Sequence, residues 1–315
     1  MSGTSVNTSS KTTLADKVTV RSFFRALFKK TLGLLPPGLI VFLYTKAFHA
    51  RLVRGMVNAC LRFIIPPFID TKEGRLFLNN HDPVVSGAIA LGVYEPYFSE
   101  LFRSALRTNM VVVDVGANLG YYSLMASKKS AVVIAFEPEQ QNLVYLKQSI
   151  DFNKRNNVVV LDYALGDKTD TETLFIDPYN KGRHSFLPDD KAEKATVKVT
   201  TLDAALLKLG VKKVSLIKID IEGWEAKALI GMKMILKKDR PLLFFEFVPD
   251  RITKSGENPM EMLESLIKLG YKLDVIDEDK QRIVPIGNLP EFVNSITGTD
   301  AFTNLIGYID LPGGL

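Results

Sequence analysis

Three apolar runs in this chain of 315 residues end in carboxylates and then turn at a glycine or a proline. The first is VVVDVGANLGYYS, residues 111–123, where Asp114 interrupts four valines and Gly116 and Gly120 follow. A buried carboxylate is costly without a partner, so this stretch asks for something positive beyond the strand. Gly116 to Gly120 form a turn that a ligand can approach closely, and Asn118 tolerates unusual backbone dihedrals. The D-x-G-x-x-x-G spacing differs from the G-x-G-x-x-G turn that seats a pyrophosphate on a helix N-terminus. An acid just before the turn repels phosphate and attracts a cation or an amino group. The second run, VVIAFEP, ends in Glu137, 23 residues after Asp114, where a carboxylate can accept hydrogen bonds from ribose hydroxyls. A ligand with an ammonium, a ribose and no phosphate suits both acids, and S-adenosylmethionine is such a ligand.

The third run, LIKIDIEGWE, residues 216–225, carries Lys218, Asp220 and Glu222 at one parity, so they tend towards one face. Two carboxylates at a strand end beside a cofactor crevice are where a general base is useful. Asp220 is expected in that role, with Glu222 as an alternate. A plainer account also holds: Lys218 and Glu246 neutralise each other across adjacent strands, and Glu222 caps the helix that follows. No metal-ligand spacing compels an ion, and none is expected.

These residues need a scaffold that brings strand ends together. β-branched runs at 111–115, 132–136, 158–161, 214–219 and 242–247 alternate with helical patterns at 119–128, 139–153, 202–209, 224–236 and 258–269. Continuous apolar strands between helices imply a parallel sheet covered on both faces, with ligands bound beyond the strands' carboxyl ends. TETLFID and ATVKVTTL predict two extra strands around a polar stretch, residues 177–194, and YKLDVID and TNLIGYID a closing pair.

The first seventy residues differ in kind. They carry ten lysines and arginines against Asp16 and Asp70, whereas residues 71–315 are net acidic, which argues against a nucleic-acid groove there. Residues 1–20 read as a disordered tail, residues 21–70 as a basic amphipathic helical segment, and 71–315 as the main domain. Arg21, Arg25 and Lys29 oppose Phe24, Leu27 and Phe28, and a second stripe runs from Phe48 to Ile64. The longest charge-free run, residues 31–45, contains Pro36-Pro37 and is too short to span a bilayer. Two readings stay open: these helices pack on the main domain, or residues 21–65 lie in a membrane interface. The single cysteine, Cys60, excludes an internal disulfide and fits a reducing, cytoplasmic setting.

With these pieces assembled, the chain resembles the FkbM family of S-adenosylmethionine-dependent methyltransferases. The resemblance rests on GVYEPYFSELF (92–102), VVVDVGANLGYYSLMA (111–126), VIAFEPEQQNLVYLKQSIDFN (133–153), VVLDYALGD (159–167), LIKIDIEGWEAKALIGM (216–232) and LLFFEF (242–247). It implies a Rossmann-like class I methyltransferase fold: a mostly parallel seven-stranded sheet, its last strand antiparallel, with helices on both faces and the N-terminal amphipathic helices added. It further implies that Asp114, Gly116, Asn118 and Gly120 line the methionine part of the cofactor. Glu137 would then hold the ribose, Asp162 the adenine edge, and Asp220 would face the sulfonium. GRHSF, residues 182–186, falls where the family has a substrate loop, and its His184 becomes a further catalytic candidate. The implied activity is methylation of a hydroxyl on a saccharide, glycolipid or small metabolite. A non-catalytic membrane module, a nucleotide-dependent oxidoreductase and a nucleic-acid base methyltransferase are the competing readings. The oxidoreductase is disfavoured by the missing diphosphate turn, and the base methyltransferase by DIEGW where a proline-aromatic motif would stand.

Overall fold

The computed structural model describes residues 65–82, 84–177, 184–299 and 301–310. The tail expected over 1–20, the amphipathic segment through residue 64, and Gly182 and Arg183 of GRHSF lie outside the described residues.

A hairpin of β1 (Phe68–Asp70) and β2 (Arg75–Phe77) precedes α1 (Val85–Leu91) and α2 (Pro96–Ala105). Alternation then sets in with β3 (Val111–Val115), α3 (Tyr121–Ser127), β4 (Val132–Phe136), α4 (Gln140–Phe152) and β5 (Val158–Leu161). Next come β6 (Ala164–Leu165), β7 (Asp170–Ile176), β8 (Glu193–Thr200), α5 (Leu202–Leu209), β9 (Leu216–Ile219), α6 (Glu225–Ile230) and α7 (Lys233–Lys238). The chain continues through β10 (Leu242–Phe247), α8 (Pro249–Lys254), α9 (Pro259–Lys268), β11 (Lys272–Asp277), β12 (Arg282–Pro285), α10 (Leu289–Ser295) and β13 (Thr303–Tyr308).

The main sheet has the order β12-β11-β13-β10-β9-β3-β4-β5. Strands β5, β4, β3, β9 and β10 are parallel neighbours, and β13 runs antiparallel between β10 and β11. Seven of these strands make the Rossmann-like sheet the sequence implies. The eighth, β12, is a short edge strand folded back on β11.

Strand parity divides the core. Val113, Val115, Ile217, Ile219, Phe245 and Phe247 pack under α5, α6, α7 and α9. Val112, Leu216, Leu242 and Phe244 pack on the other face against Phe98 and Phe102 of α2 and Tyr122 and Met125 of α3. Because both faces are covered, the strands read as continuous apolar runs.

One helix expected over 224–236 is two. The Gly231 carbonyl accepts from the Asp203 backbone N–H at 3.1 Å. The Asp203 carboxylate then accepts from Met234 N and Ile235 N, which starts α7 afresh. A Cβ on Gly231 would also collide with the Gly166 carbonyl, so the break sits where two backbones touch. The two extra strands the sequence predicts are β7 and β8; they pair antiparallel and with β6 form a separate three-stranded sheet beside the carboxyl ends of the main one.

Candidate functional site

The strand order reverses between β3 and β9, and an open cleft of about 570 Å³ lies beyond the carboxyl ends there. Gly116 and Asn118 line it from the turn after β3, Glu137 from the end of β4, and Asp220 and Glu222 from the end of β9. His184 lines it from the segment beside β7. Six of the nine residues singled out in the sequence therefore meet in one cavity.

The other three lie around it. Asp114 is fully buried one layer below, accepting from Ser123 Oγ at 2.6 Å. Gly120 faces Leu146 of α4, where an added Cβ would collide. Asp162 pairs with Lys198 at 3.2 Å on the rim, and its neighbour Tyr163 is the residue that lines the cleft.

The turn after β3 is built to bring backbone close to a ligand. Gly116 has φ +75° and Asn118 φ +50°. A Cβ at Gly116 would collide with the Asp220 carbonyl, so the two strand ends touch at a glycine. The N–H groups of Gly116 and Ala117 both donate to the Phe136 carbonyl at 3.0 Å. The Glu137 carboxylate accepts from Asn118 N at 2.8 Å and from Glu139 N at 2.9 Å. Burial pushes it up to about 7, against the pull of those two N–H groups. The Asn142 side chain is a third donor to it, which leaves the carboxylate one lone pair for a ribose hydroxyl. Tyr163, Leu165 and Leu174 add an apolar wall that suits a nucleobase. The cleft thus fits S-adenosylmethionine.

On the α2 side the same parity that buries Val112, Leu216 and Phe244 places a layer of polar groups at the strand ends. Asp114 and Lys218 are register partners on β3 and β9, and Glu246 and Asn304 are partners on β10 and β13. Lys218 Nζ donates to the Gly116 carbonyl at 3.2 Å and stands 3.4 Å from Asp220 and 3.8 Å from Asp114. Burial alone would push this ammonium down, but Asp220, Asp114 and Glu95 outweigh it and hold it above its ordinary value. Burial pushes Asp114 up, partly offset by Lys218 and Ser123.

This overturns the pairing of Lys218 with Glu246. Phe244, not Glu246, stands opposite Lys218, so the glutamate lies two residues further along β10. Glu246 Oε2 is buried with no hydrogen-bond partner among the described residues, and burial, then Asp220 and Glu222, raise its carboxyl well above the carboxylate range. Nor does Glu222 cap α6. It takes φ +57° and pairs with Arg251, while Glu225 accepts from Ile221 N and Gly223 N. Oxygens of Asp220, Glu222 and Glu246 lie within 4.8 Å of one another, with Lys218 and Arg251 as the neighbouring cations. Such a trio is relieved by a shared proton, a cation or the positive charge of a ligand.

Glu95 completes the layer, and the sequence reading missed it. It occupies the N-cap position of α2 at φ +41° but does not cap that helix. Glu278, from the β11–β12 turn, accepts from Tyr97 N and Phe98 N instead. Glu95 is left to accept from Tyr122 Oη at 2.6 Å and Asn304 Nδ2 at 3.2 Å, and burial and the Asp220 charge push it up to about 7. Glu-Pro at a helix start reads as an ordinary cap, so no local signal marks it. On the opposite wall Ser185 bridges to Phe175 of β7 and donates to the Glu222 carbonyl at 3.1 Å, and Phe186 packs on Trp224 with ring centroids 4.6 Å apart.

The family profile described as "Methyltransferase FkbM domain" matches residues 114–273, just over half of the chain. Hexuronic acid methyltransferase AglP of Haloferax volcanii is 30% identical over 186 residues, which cover 55% of this chain and 69% of the relative. Methyltransferase sdnD of Sordaria araneosa is 26% identical over 160 residues, 40% of this chain and 62% of the relative. Among solved structures, the methyltransferase FkbM of Methylobacillus flagellatus KT aligns at 16% identity and a TM-score of 0.40, over 83% of this chain and 61% of that one. The chain therefore spans less than two thirds of sdnD and of the Methylobacillus protein.

Proposed function

Because the chain belongs to the FkbM methyltransferase family, we propose that it transfers a methyl group from S-adenosylmethionine to a hydroxyl oxygen of a saccharide, glycolipid or small-metabolite acceptor. The observation that carries this reading is the meeting of Glu137 and Asp220 across one cleft, with the Gly116–Asn118 turn between them. The relative named for hexuronic acid methylation supports a saccharide acceptor.

When bound, S-adenosylmethionine supplies a methyl group on a sulfonium, an electrophile that needs an aligned nucleophile and little else. Glu137 accepts from a ribose hydroxyl, and the Gly116–Asn118 turn holds the amino-acid end. Asp220 accepts the proton of the acceptor hydroxyl, a role worth about 10²–10⁴-fold. Lys218 Nζ, 3.4 Å from the Asp220 carboxylate, keeps that side chain oriented. Glu222 is committed to Arg251 and His184 sits on the far wall, so both stand as alternates for that proton. The charge of Asp220 also acts on Glu95 and Glu246, and raises both of their carboxyls.

Thermal unfolding with S-adenosylmethionine, S-adenosylhomocysteine or NADH tests the reading. At 100 times its dissociation constant a ligand adds about 2.7 kcal/mol, roughly 5–11 °C for a domain of this size. Both sulfur ligands should raise the midpoint and NADH should not, and Glu137→Ala should abolish the rise. Folded protein that responds to neither sulfur ligand would refute it.

A further inference from the structure

Residues 71–315 are net acidic, yet one face of the domain is strongly basic. Helices α5 and α7 lie side by side on the outside of the sheet. Asp203 of α5 caps the start of α7 through Met234 N and Ile235 N, and at the other end Lys238 Nζ donates to the Lys212 carbonyl at 3.4 Å. Their inner sides bury Leu202, Leu206 and Leu236.

Their outer sides are not polar throughout. Leu207 is 83% exposed and Met234 71%, with Ile230 at the end of α6 (52%) and Leu209 (40%) beside them. Leu207 lies one turn on from Asp203, on the side turned towards α7. Six exposed lysines, Lys208, Lys212, Lys213, Lys233, Lys237 and Lys238, surround these apolar tips. The nearby acids are already engaged, Asp203 on α7 and Asp239 on Val214 N at 2.8 Å.

We propose that this face docks the protein on an anionic membrane surface, its lysines against acidic head groups and Leu207 and Met234 entering the acyl boundary. Charge decides against the other occupants within reach. A second copy would set lysines against lysines, and the chain's own residues 1–64 carry ten basic side chains against Asp16 alone. A nucleic acid would satisfy the lysines but give the exposed apolar side chains no apolar phase. Among the described residues no helix is long and apolar enough to cross a membrane, so the contact is peripheral. Helix α6 joins this face to the cleft: Ile230 ends it, and Trp224, at its start, packs on the cleft-lining Phe186.

The test uses the full chain with Cys60→Ser and one new cysteine carrying an environment-sensitive fluorophore. The cysteine is placed at Leu207 or Met234, and for comparison at Val144, 53% exposed on α4 across the sheet. Vesicles of mixed phosphatidylserine and phosphatidylcholine should raise and blue-shift the emission several-fold at 207 and 234 but not at 144. Phosphatidylcholine alone should do neither. Combining Lys233→Glu, Lys237→Glu and Lys238→Glu should weaken the vesicle response at 207 at least about tenfold. An unchanged signal at 207 and 234, an equal change at all three positions, or a response to polyglutamate or RNA in place of vesicles would overturn the proposal. Vesicle binding through residues 21–65 alone gives the first of these results, so the two anchors are told apart.

Discussion

Asn118 donates its backbone N–H to the Glu137 carboxylate at 2.8 Å, which ties the glycine turn after β3 to the acid after β4. Two motifs that lie apart in the chain are thereby one rigid unit. The carboxylate is oriented before any ligand arrives, and a ligand that engages it does not have to order it.

The close approach at Gly116 predicts a severe effect from the smallest substitution. Gly116→Ala meets both a φ of +75° and the Asp220 carbonyl, a strain of about 1–3 kcal/mol or more. Its thermal midpoint should fall, and its response to S-adenosylmethionine should disappear. A variant that unfolds and binds like the parent would show that the two strand ends part easily.

Asp220→Asn keeps the shape of the side chain and removes its basicity. Methyl transfer should drop at least about 10²-fold, while affinity for S-adenosylmethionine falls only modestly. Single-turnover transfer measured beside calorimetric binding separates the two effects. Unimpaired turnover would take Asp220 out of the reaction.

Lys218→Met should cost about 3–5 kcal/mol in urea unfolding, because it leaves the buried Asp114 without its cation and, among the described residues, with Ser123 as its one hydrogen-bond donor. Adding Asp114→Asn should recover part of that loss, since the two residues act as a pair. If the losses simply add, the ion pair at 3.8 Å is not what Lys218 contributes.

The buried glutamates predict an unusual pH profile. Glu95, Glu137 and Glu225 are each raised from 4.5 to about 7 by burial, so the folded chain holds protons the unfolded chain has released. Stability should therefore be greatest below about 4.5 for these groups and decline as pH rises through 7, by at most about 3 kcal/mol per group. Glu137→Gln, which cannot ionise, should flatten the slope of unfolding free energy between those values. A profile identical to the parent's would mean Glu137 titrates normally.

Much of this was legible because it is local. The runs ending at Asp114, Glu137 and Asp220 carry their periodicity and their turn residues in a few positions, and all three appear as strands with the expected ends. What could not be read depends on partners far along the chain. The pairing of Lys218 with Asp114 and Asp220 follows from strand register, which places Phe244 opposite the lysine. The break at Gly231 depends on Asp203, and the orientation of Glu95 depends on Glu278. The family resemblance gives Asp162 the adenine edge, but its side chain pairs with Lys198 and its neighbour Tyr163 lines the cleft. Apolar wall residues such as Leu174 lie on the separate small sheet, and no motif links them to the turn they face.

Strand β13 lies between β10 and β11, although both are synthesised before it. A nascent chain that has emerged only through β11 and β12 therefore has a hairpin with no edge to join, and β10 presents a bare edge of its own. The sheet can close only when residues 303–308 arrive, and with them Asn304, which holds Glu95. Such a late, long-range insertion is slow and leaves exposed edges prone to pairing with other chains. A version trimmed to the span of the family match, residues 114–273, would keep every cleft residue named above, yet it would begin inside β3, stop inside β11 and lack β13, so its sheet could never close.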